Sequence, residues 1–464
     1  MSTFSALNAA TTALWAQRRG LDVTGQNIAN VNTEGYTRQR VDLQAIGGSA
    51  VPAFYSTSPG IGQGVDADDV IRIRDAFLEG RGHTEHANSA QLVAETEAYN
   101  LVEQAFREPG TTGIQKMLSE MWSGWQDIAN KPNDPAARGQ LLKRLETLVG
   151  GLHFSQAQLG GQWDQARDNL SVLVDDVNAA AENIATLNVA IQRATQSGLP
   201  SNDLADQRDL LVMKLADSVG AAVRPGKDGV LDVVVGGMSL VSGGTASKFS
   251  LKGTIDPDSA GADPLRIVTA TGDFSVRVGG TAAGQLNTLN TIIPGYRGQL
   301  DGIAAGLAGA MNETHGEGTD LYGAQGGDIL GGGTPVTAAN ISVLITDPNR
   351  LAASSVAGSA NNDARNADKM AQLANKVDGT DGIYRTMIVE LGVHSAVSQR
   401  NLQIQTSITT TVDAARESVA GVNLDEELTN MLSYQHAYSA AGRMITAIDE
   451  ALDVLINRTG LVGR

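Results

Sequence analysis

The chain has 464 residues, enough for two to four domains at roughly 100–200 residues each. Its 34 Lys and Arg against 51 Asp and Glu leave a formal charge of −17, which repels phosphate backbones and anionic lipid and argues against general nucleic-acid binding or a polybasic membrane anchor. With no Cys there is no disulfide framework, thiolate zinc site or thiol nucleophile, and with aromatics at 4% most buried surface must come from Ala, Leu and Val, which suits close-packed helices.

In chain order, the first twenty residues lack a basic stretch and a compact apolar core, so no classical export signal is expected. No run reaches the roughly 18–20 apolar residues of a membrane helix. Leu7, Leu14, Leu21 and Ile28 recur every seven residues and predict an N-terminal helix with one apolar stripe. Its companion row, Thr3, Ala10, Gln17, Thr24 and Val31, is small or polar. Residues 41–84 read as an extended linker. Helices are expected at 85–107, 114–130, 135–197 and 201–218. The long one carries two heptad rows: Leu145, Leu152, Leu159, Ala166, Leu173, Ala180 and Leu187, and Leu142, Val149, Gln156, Trp163, Leu170, Val177, Ile184 and Ile191. Asn133-Asp134-Pro135 marks its start and Gly198-Leu199-Pro200 its stop, while Gly150-Gly151 and Gly160-Gly161 predict a kink.

The pattern changes at 220–283, where Val230–Val235, Ser247–Leu251, Leu265–Ala270 and Phe274–Val278 read as strands between Gly, Pro and Asp. A helix follows at 284–314, then a Gly-rich stretch, Gly316–Gly333, leading into Ile341–Ile345. Segments 220–283 and 316–362 are expected to form one outer β-rich domain. Helices at 363–377 and 383–419 complete a rod of 85–219, 284–315 and 363–419. At the far end Leu424, Met431, Tyr438, Ile445 and Leu452, with Tyr434, Ala441, Ile448 and Leu455, form an a/d seam, with Asn423 and Glu426 as a capping box. The fold class is therefore mainly α with an inserted β-rich domain. Residues 1–40 and 420–464 pair as a discontinuous terminal coiled coil, with Leu14, Leu21 and Ile28 expected to meet Tyr438, Ile445 and Leu452 within or between copies.

Chemistry is sparse. His83 and His86 flank Glu85, but no H-E-x-x-H or similar metal signature is present, and His153, His315, His394 and His436 are isolated. Gly60-Ile61-Gly62-Gln63-Gly64 lacks the Lys-Ser/Thr of a phosphate-binding loop. Asp66, Asp68 and Asp69 lack the Gly and distal Glu of a calcium loop, and no G-x-S-x-G elbow occurs. No enzyme, cofactor or metal is expected. A metal-dependent hydrolase using His83 and His86 is the enzymatic alternative.

The segment Asn27-Ile28-Ala29-Asn30-Val31-Asn32-Thr33-Glu34-Gly35-Tyr36-Thr37-Arg38 resembles the signature of the bacterial flagellar rod, hook and hook-associated protein family. Gly421-Val422-Asn423-Leu424-Asp425-Glu426-Glu427-Leu428, with Tyr434-Gln435 and Ala437-Tyr438, resembles the closing helix of the same family. The long heptad helix is similar to the branch that joins hook to filament, as are Gly62–Leu78, Val343-Leu344-Ile345-Thr346-Asp347-Pro348 and Ala352-Ala353-Ser354. Larger relatives carry a further outer β domain where this chain has only Gly331-Gly332-Gly333-Thr334-Pro335-Val336. The resemblance implies a secreted structural protein of the flagellum at the hook–filament junction, exported by the type III apparatus with a chaperone. It also implies a self-assembling tube whose neighbours are the hook protein and a second junction protein. The assembly interface would include Leu7, Leu14, Leu21, Asn27, Ile28, Asn30, Asn32, Gly35 and Tyr36 at one end. At the other it would include Leu424, Met431, Tyr434, Tyr438, Ile445, Ile448, Leu452 and Leu455. The rivals are a hook or distal rod subunit and a secreted adhesin or effector using 220–283.

Overall fold

The computed structural model describes residues 3–47, 62–358 and 362–458. Helices in chain order are α1 (Thr3–Ala29), α2 (Ala76–Phe106), α3 (Ile114–Asn130), α4 (Pro135–Gln196), α5 (Asn202–Val219), α6 (Gly280–Asn287), α7 (Ile293–Gly316), α8 (Arg365–Gln372), α9 (Thr380–Ala420) and α10 (Leu424–Asp453). Strands are β1 (Gln39–Val41), β2 (Gln44–Ile46), β3 (Gly64–Asp66), β4 (Val70–Arg72), β5 (Ala222–Pro225), β6 (Leu231–Val235), β7 (Met238–Ser242), β8 (Thr245–Ala246), β9 (Phe249–Lys252), β10 (Arg266–Thr269), β11 (Leu330–Gly331) and β12 (Ser342–Val343). None of the described helices is long and apolar enough to cross a membrane.

The organising element is α4, whose 62 residues span about 93 Å at 1.5 Å per residue. Asp134 caps it, accepting from Ala136 N at 2.9 Å, and Pro135 occupies the first turn, where its missing N–H costs nothing. The helix runs unbroken through both glycine pairs. A side chain at Gly151 would meet Met117 Sδ at 2.5 Å, and one at Gly160 would meet Arg297 Nη1 at 3.2 Å. These two glycines therefore allow close approach to α3 and α7. The row Leu142, Val149, Gln156, Trp163, Leu170, Val177, Ile184 and Ile191 is buried throughout. Its companion is only half-buried after Leu159, with Ala166, Leu173 and Ala180 packed against the edge of the core. The helices α6 and α7 and several β elements also pack on α4. Trp163 is fully buried and donates Nε1 to Leu289 O at 2.8 Å, so its one polar atom is satisfied inside the core.

β5 to β8 form an antiparallel four-stranded meander, with Gly236 and Gly237 at φ +55° and +86° making the two-residue β6–β7 turn. Two asparagines of α4 fasten the β elements. Buried Asn188 donates to Leu231 O (2.7 Å) and Gly243 O (2.8 Å) and accepts from Leu231 N (3.1 Å). Asn178 brackets Phe249 through its N and O at 2.8 and 2.9 Å.

Three expectations need correction. The second β stretch does not join the first. Arg138, near the start of α4, donates to Leu351 O at 2.6 Å, and His153 bonds Ile341 O at 2.8 Å. Segment 316–358 therefore docks on the N-terminal part of α4, tens of ångströms from the meander at 1.5 Å per residue. Residues 274–278 make only an isolated bridge from Ser275 to Val268, with Phe274 63% exposed, whereas β5, β7 and β8 were not anticipated. The linker 41–84 is less extended than expected: β1 pairs with β4, β2 pairs with β3, and α2 begins at Ala76. Gly60 and Ile61 of the glycine-rich motif lie outside the described residues.

Candidate assembly surface

The face of α1 turned toward the protein is small: Ala10, Ala16, Gly20, Thr24 and Asn27 are its buried positions. That permits α10 to come close. A Cβ at Gly20 would lie 2.7 Å from the Tyr434 ring, so the ring lies directly on the glycine. Asn27 donates Nδ2 to Glu427 Oε2 at 3.0 Å. Gly20 facing Tyr434 and Asn27 facing Glu427 make the two helices antiparallel. Ile28 therefore sits at the start of α10, and Leu452 lies roughly 40 Å further along it at 1.5 Å per residue. The expected opposition of Ile28 and Leu452 is not made within one chain.

The signature segment ties this pair to the rod. Asn27 is 1% exposed and uses both ends of its amide. Its Nδ2 donates to Gln39 O (2.9 Å) as well as Glu427, and its Oδ1 accepts from Gln39 N (3.0 Å) and Tyr36 OH (2.8 Å). Arg38 forks onto Glu426 and Glu427 at 2.7 Å each. Burial lowers the Arg38 pKa, but hydrogen bonds and charge from the two glutamates outweigh it, so the net shift is upward. The Tyr36 phenol is pushed well above its usual range, first by burial and then by Asp206, Asp203 and Glu427. Gly35, at φ +78°, supplies the turn that brings Tyr36 back to Asn27. Thr37 N donates to Asp206 on α5 at 3.1 Å, and Arg72 bridges Asp206 and Asp209 at 2.8 and 2.7 Å. Arg74 continues from Asp209 to Glu79, and Arg416 on α9 bonds Glu79 at 2.9 Å.

The structure distributes the candidate interface residues unevenly. Asn27 is enclosed within the chain, where it holds α1 to α10 and β1. Leu7, Leu14, Leu21, Ile28, Asn30, Tyr36, Met431, Tyr434, Ile445, Ile448 and Leu452 are half-buried. Asn32, Gly35, Leu424, Tyr438 and Leu455 are exposed. The periodicity missed Phe4, Trp15, Leu428, Leu432 and Met444, all at least half exposed. They stand off the seven-residue rows, and their apolar type without a row partner was the only available signal. None of the α1 or α10 residues belongs to the main hydrophobic core, which runs from Ala98 to Leu391.

The histidines do not converge. His86 bonds Asp217 on α5 (Nδ1, 3.2 Å) and Asp413 on α9 (Nε2, 3.0 Å), so both ring nitrogens are engaged. Buried His83 lies on the same helix, and among the described residues no group of three His, Asp or Glu could hold a metal. Asp66, Asp68 and Asp69 line an open cleft with Trp15, Arg19 and Leu199.

Comparison with known proteins follows the same division of the chain. Residues 99–330 match the family described as "Flagellar hook-associated protein FlgK helical domain". Residues 7–37 match "Flagella basal body rod protein", and 414–458 match "Flagellar basal body rod FlgEFG protein C-terminal". A flagellar hook-associated protein 1 from Bacillus subtilis is 30% identical over the whole of both chains. One from Escherichia coli is 25% identical over 98% of this chain and 99% of its own, across 555 aligned positions, so it carries segments this chain lacks. A solved structure of the flagellar hook junction protein FlgK from Burkholderia pseudomallei superposes with a TM-score of 0.64 over 74% of this chain and all of that one, at 16% identity, and shares the fold. Two end motifs in order, the helical domain between them and a full-length relative at 30% identity lead to one conclusion: this chain belongs to the flagellar hook-associated protein 1 family, structural proteins of the bacterial flagellum.

Proposed function

We propose that this chain is the layer joining hook to filament, exported through the flagellar type III apparatus and assembled as a tube through α1 and α10. The observation that carries the reading is the character of that helix pair. On the α1 side its buried positions are Ala, Gly, Thr and Asn, while Trp15, Leu428, Leu432 and Met444 face solvent. Monomers rarely leave so much apolar surface uncovered without a partner. In the assembly α1 and α10 form the inner tube, the α2–α4–α7–α9 rod a surrounding shell, and the β5–β10 region the outer surface. The hook subunit and a second junction protein bound the layer axially. Because α1 and α10 lie outside the main core, their ordering is coupled to assembly. Hydrogen exchange on dilute monomer tests this, and strong amide protection in both helices would refute it.

The direct test is a clean deletion strain imaged by electron microscopy, with flagellin assayed in the medium. The expected result is hooks without filaments and unpolymerised flagellin outside the cell. Missing hooks would move the chain inward to the rod or hook, and normal filaments would remove it from the junction.

A further inference from the structure

The outward face of α9 carries a regular line: Val389, Val393, Val397, Arg400 and Ile404. The four apolar members are 48–60% exposed, while the opposite face of the helix buries Leu391, Ser395 and Ser398. Branched apolar side chains at helical spacing on an outer face form an unpartnered ridge. Arg400, in the middle, makes no ion pair among the described residues.

A second surface complements it. Between α2, α4 and the α6–α7 junction runs an open groove of about 350 Å³ walled by Ala94, Ala98, Ala157 and Gly161. Glu97 stands exposed in it, also without an ion pair among the described residues. Gln162 and Gln285 line the same groove, and each has a buried Oε1 with no hydrogen-bond partner. Small residues make the hole and an exposed carboxylate with no ion pair among the described residues stands in it, which suits an apolar ridge bearing one strong donor. A guanidinium, with five N–H groups, is such a donor.

Ridge and groove stand at the same height on the rod. Thr96 bonds Ser398 at 2.7 Å and Asn100 bonds Gln399 at 3.2 Å, so Glu97 and Arg400 are level. Thr96 and Asn100 face α9, whereas Ala94, Ala98 and Leu101 face the groove, which places the two surfaces on different sides. Two unlike, complementary surfaces on one subunit make a head-to-tail contact that closes a ring or extends a helix, not a two-fold dimer.

We propose that the α9 ridge of one copy seats laterally in the α2–α4 groove of the next, with Arg400 against Glu97. This rests on the self-assembly reading above and names the rod surfaces that carry it. The chain has no Cys, so introduced pairs report cleanly. Val397→Cys and Gln165→Cys in one chain, oxidised in sheared hook–filament assemblies, are expected to give a ladder of cross-linked multimers, and each single variant none. In the deletion strain, Arg400→Glu is expected to cut filament-bearing cells at least tenfold, and Glu97→Arg with Arg400→Glu to restore them. Both side chains are exposed, so the melting temperature of the secreted monomer stays unchanged. Dimers from Val397→Cys alone, absence of the ladder, normal filaments with Arg400→Glu, or failure of the double exchange would each overturn the contact. Normal filaments in the uncomplemented deletion strain would instead overturn the junction reading.

Discussion

Single side chains fasten distant stretches of this chain. Arg138 is 1% exposed and donates to three carbonyls, Pro132 O, Pro348 O and Leu351 O, with no carboxylate in contact. Burial lowers its pKa to about 10, with Asp320 opposing the shift from a distance. Removing it strands those carbonyls, each worth about 1–3 kcal/mol, and opens a cavity. Arg138→Ala is expected to lose about 3–5 kcal/mol in urea unfolding of the purified chain, and Arg138→Lys less. The histidines set opposing pH slopes. His86 has a raised pKa, first through its hydrogen bond to Asp217, against burial, and then through Asp413. Its contribution is complete below about pH 6.5 and is lost as pH rises through the higher folded value. His83 and His315 are lowered, in each case first by burial, so theirs is present above about 6.5 and lost as pH falls. His315 shows why: its Nδ1 faces Gly327 O at 2.6 Å and its Nε2 accepts from Ala352 N at 2.7 Å, which only the neutral ring can do. In a thermal series from pH 6 to 8.5, the deficit of His86→Asn relative to the parent should shrink as pH rises. His315→Gln should differ most from the parent at the alkaline end.

At the scale of helices, glycine marks where elements touch. A Cβ at Gly284 of α6 would lie 2.6 Å from Gln91 O and 2.7 Å from Ala94 Cβ of α2. Gly284→Ala gains about 1 kcal/mol of helix propensity but must separate two backbones. Overpacking of that kind costs about 1–3 kcal/mol, so its urea midpoint is expected to fall. Gly150 on α4 has nothing within 4 Å of a Cβ, so Gly150→Ala is expected to raise the unfolding free energy by up to about 1 kcal/mol, and the urea midpoint with it. The same substitution at two helix-interior glycines thus has opposite signs. An adjacent Gly-Gly pair in a heptad tract was read as a weak point because sequence shows the missing side chain but not the neighbour that needs its space.

For the whole molecule, the main core and the terminal helix pair are different parts. The core between Ala98 and Leu391 contains no residue of α1 or α10, and polar links from Asn27 and Arg38 to Glu427, and from Thr37 N to Asp206 and on through Arg72 to Asp209, join the two parts. Leu428→Glu and Leu432→Glu are therefore expected to leave the monomer's unfolding free energy within about 0.5 kcal/mol. Both should abolish filament attachment in a complementation assay. A large loss of monomer stability would mean these leucines are part of the fold itself.

Some of this was written in local sequence. Heptad rows located α1, α4 and α10, Asp134-Pro135 and Asn423 marked helix starts, and the Asn27–Arg38 and Gly421–Leu428 segments carried the family. Those features are local because periodicity and capping depend on residues three to seven apart. Tertiary structure alone decided the rest. It set Gly20 of α1 under the Tyr434 ring of α10, where a Cβ would lie 2.7 Å away. It enclosed Asn27 among Gln39, Tyr36 and Glu427, a set whose members lie up to 400 residues apart. It also sent segments 220–283 and 316–358 to separate parts of α4, since Asn188 and Arg138 each bond backbone that no spacing rule assigns to them. A helix's sequence fixes its apolar face relative to its own axis. Which partner meets that face, and at what height, is settled only when all the packing and polar demands are met at once.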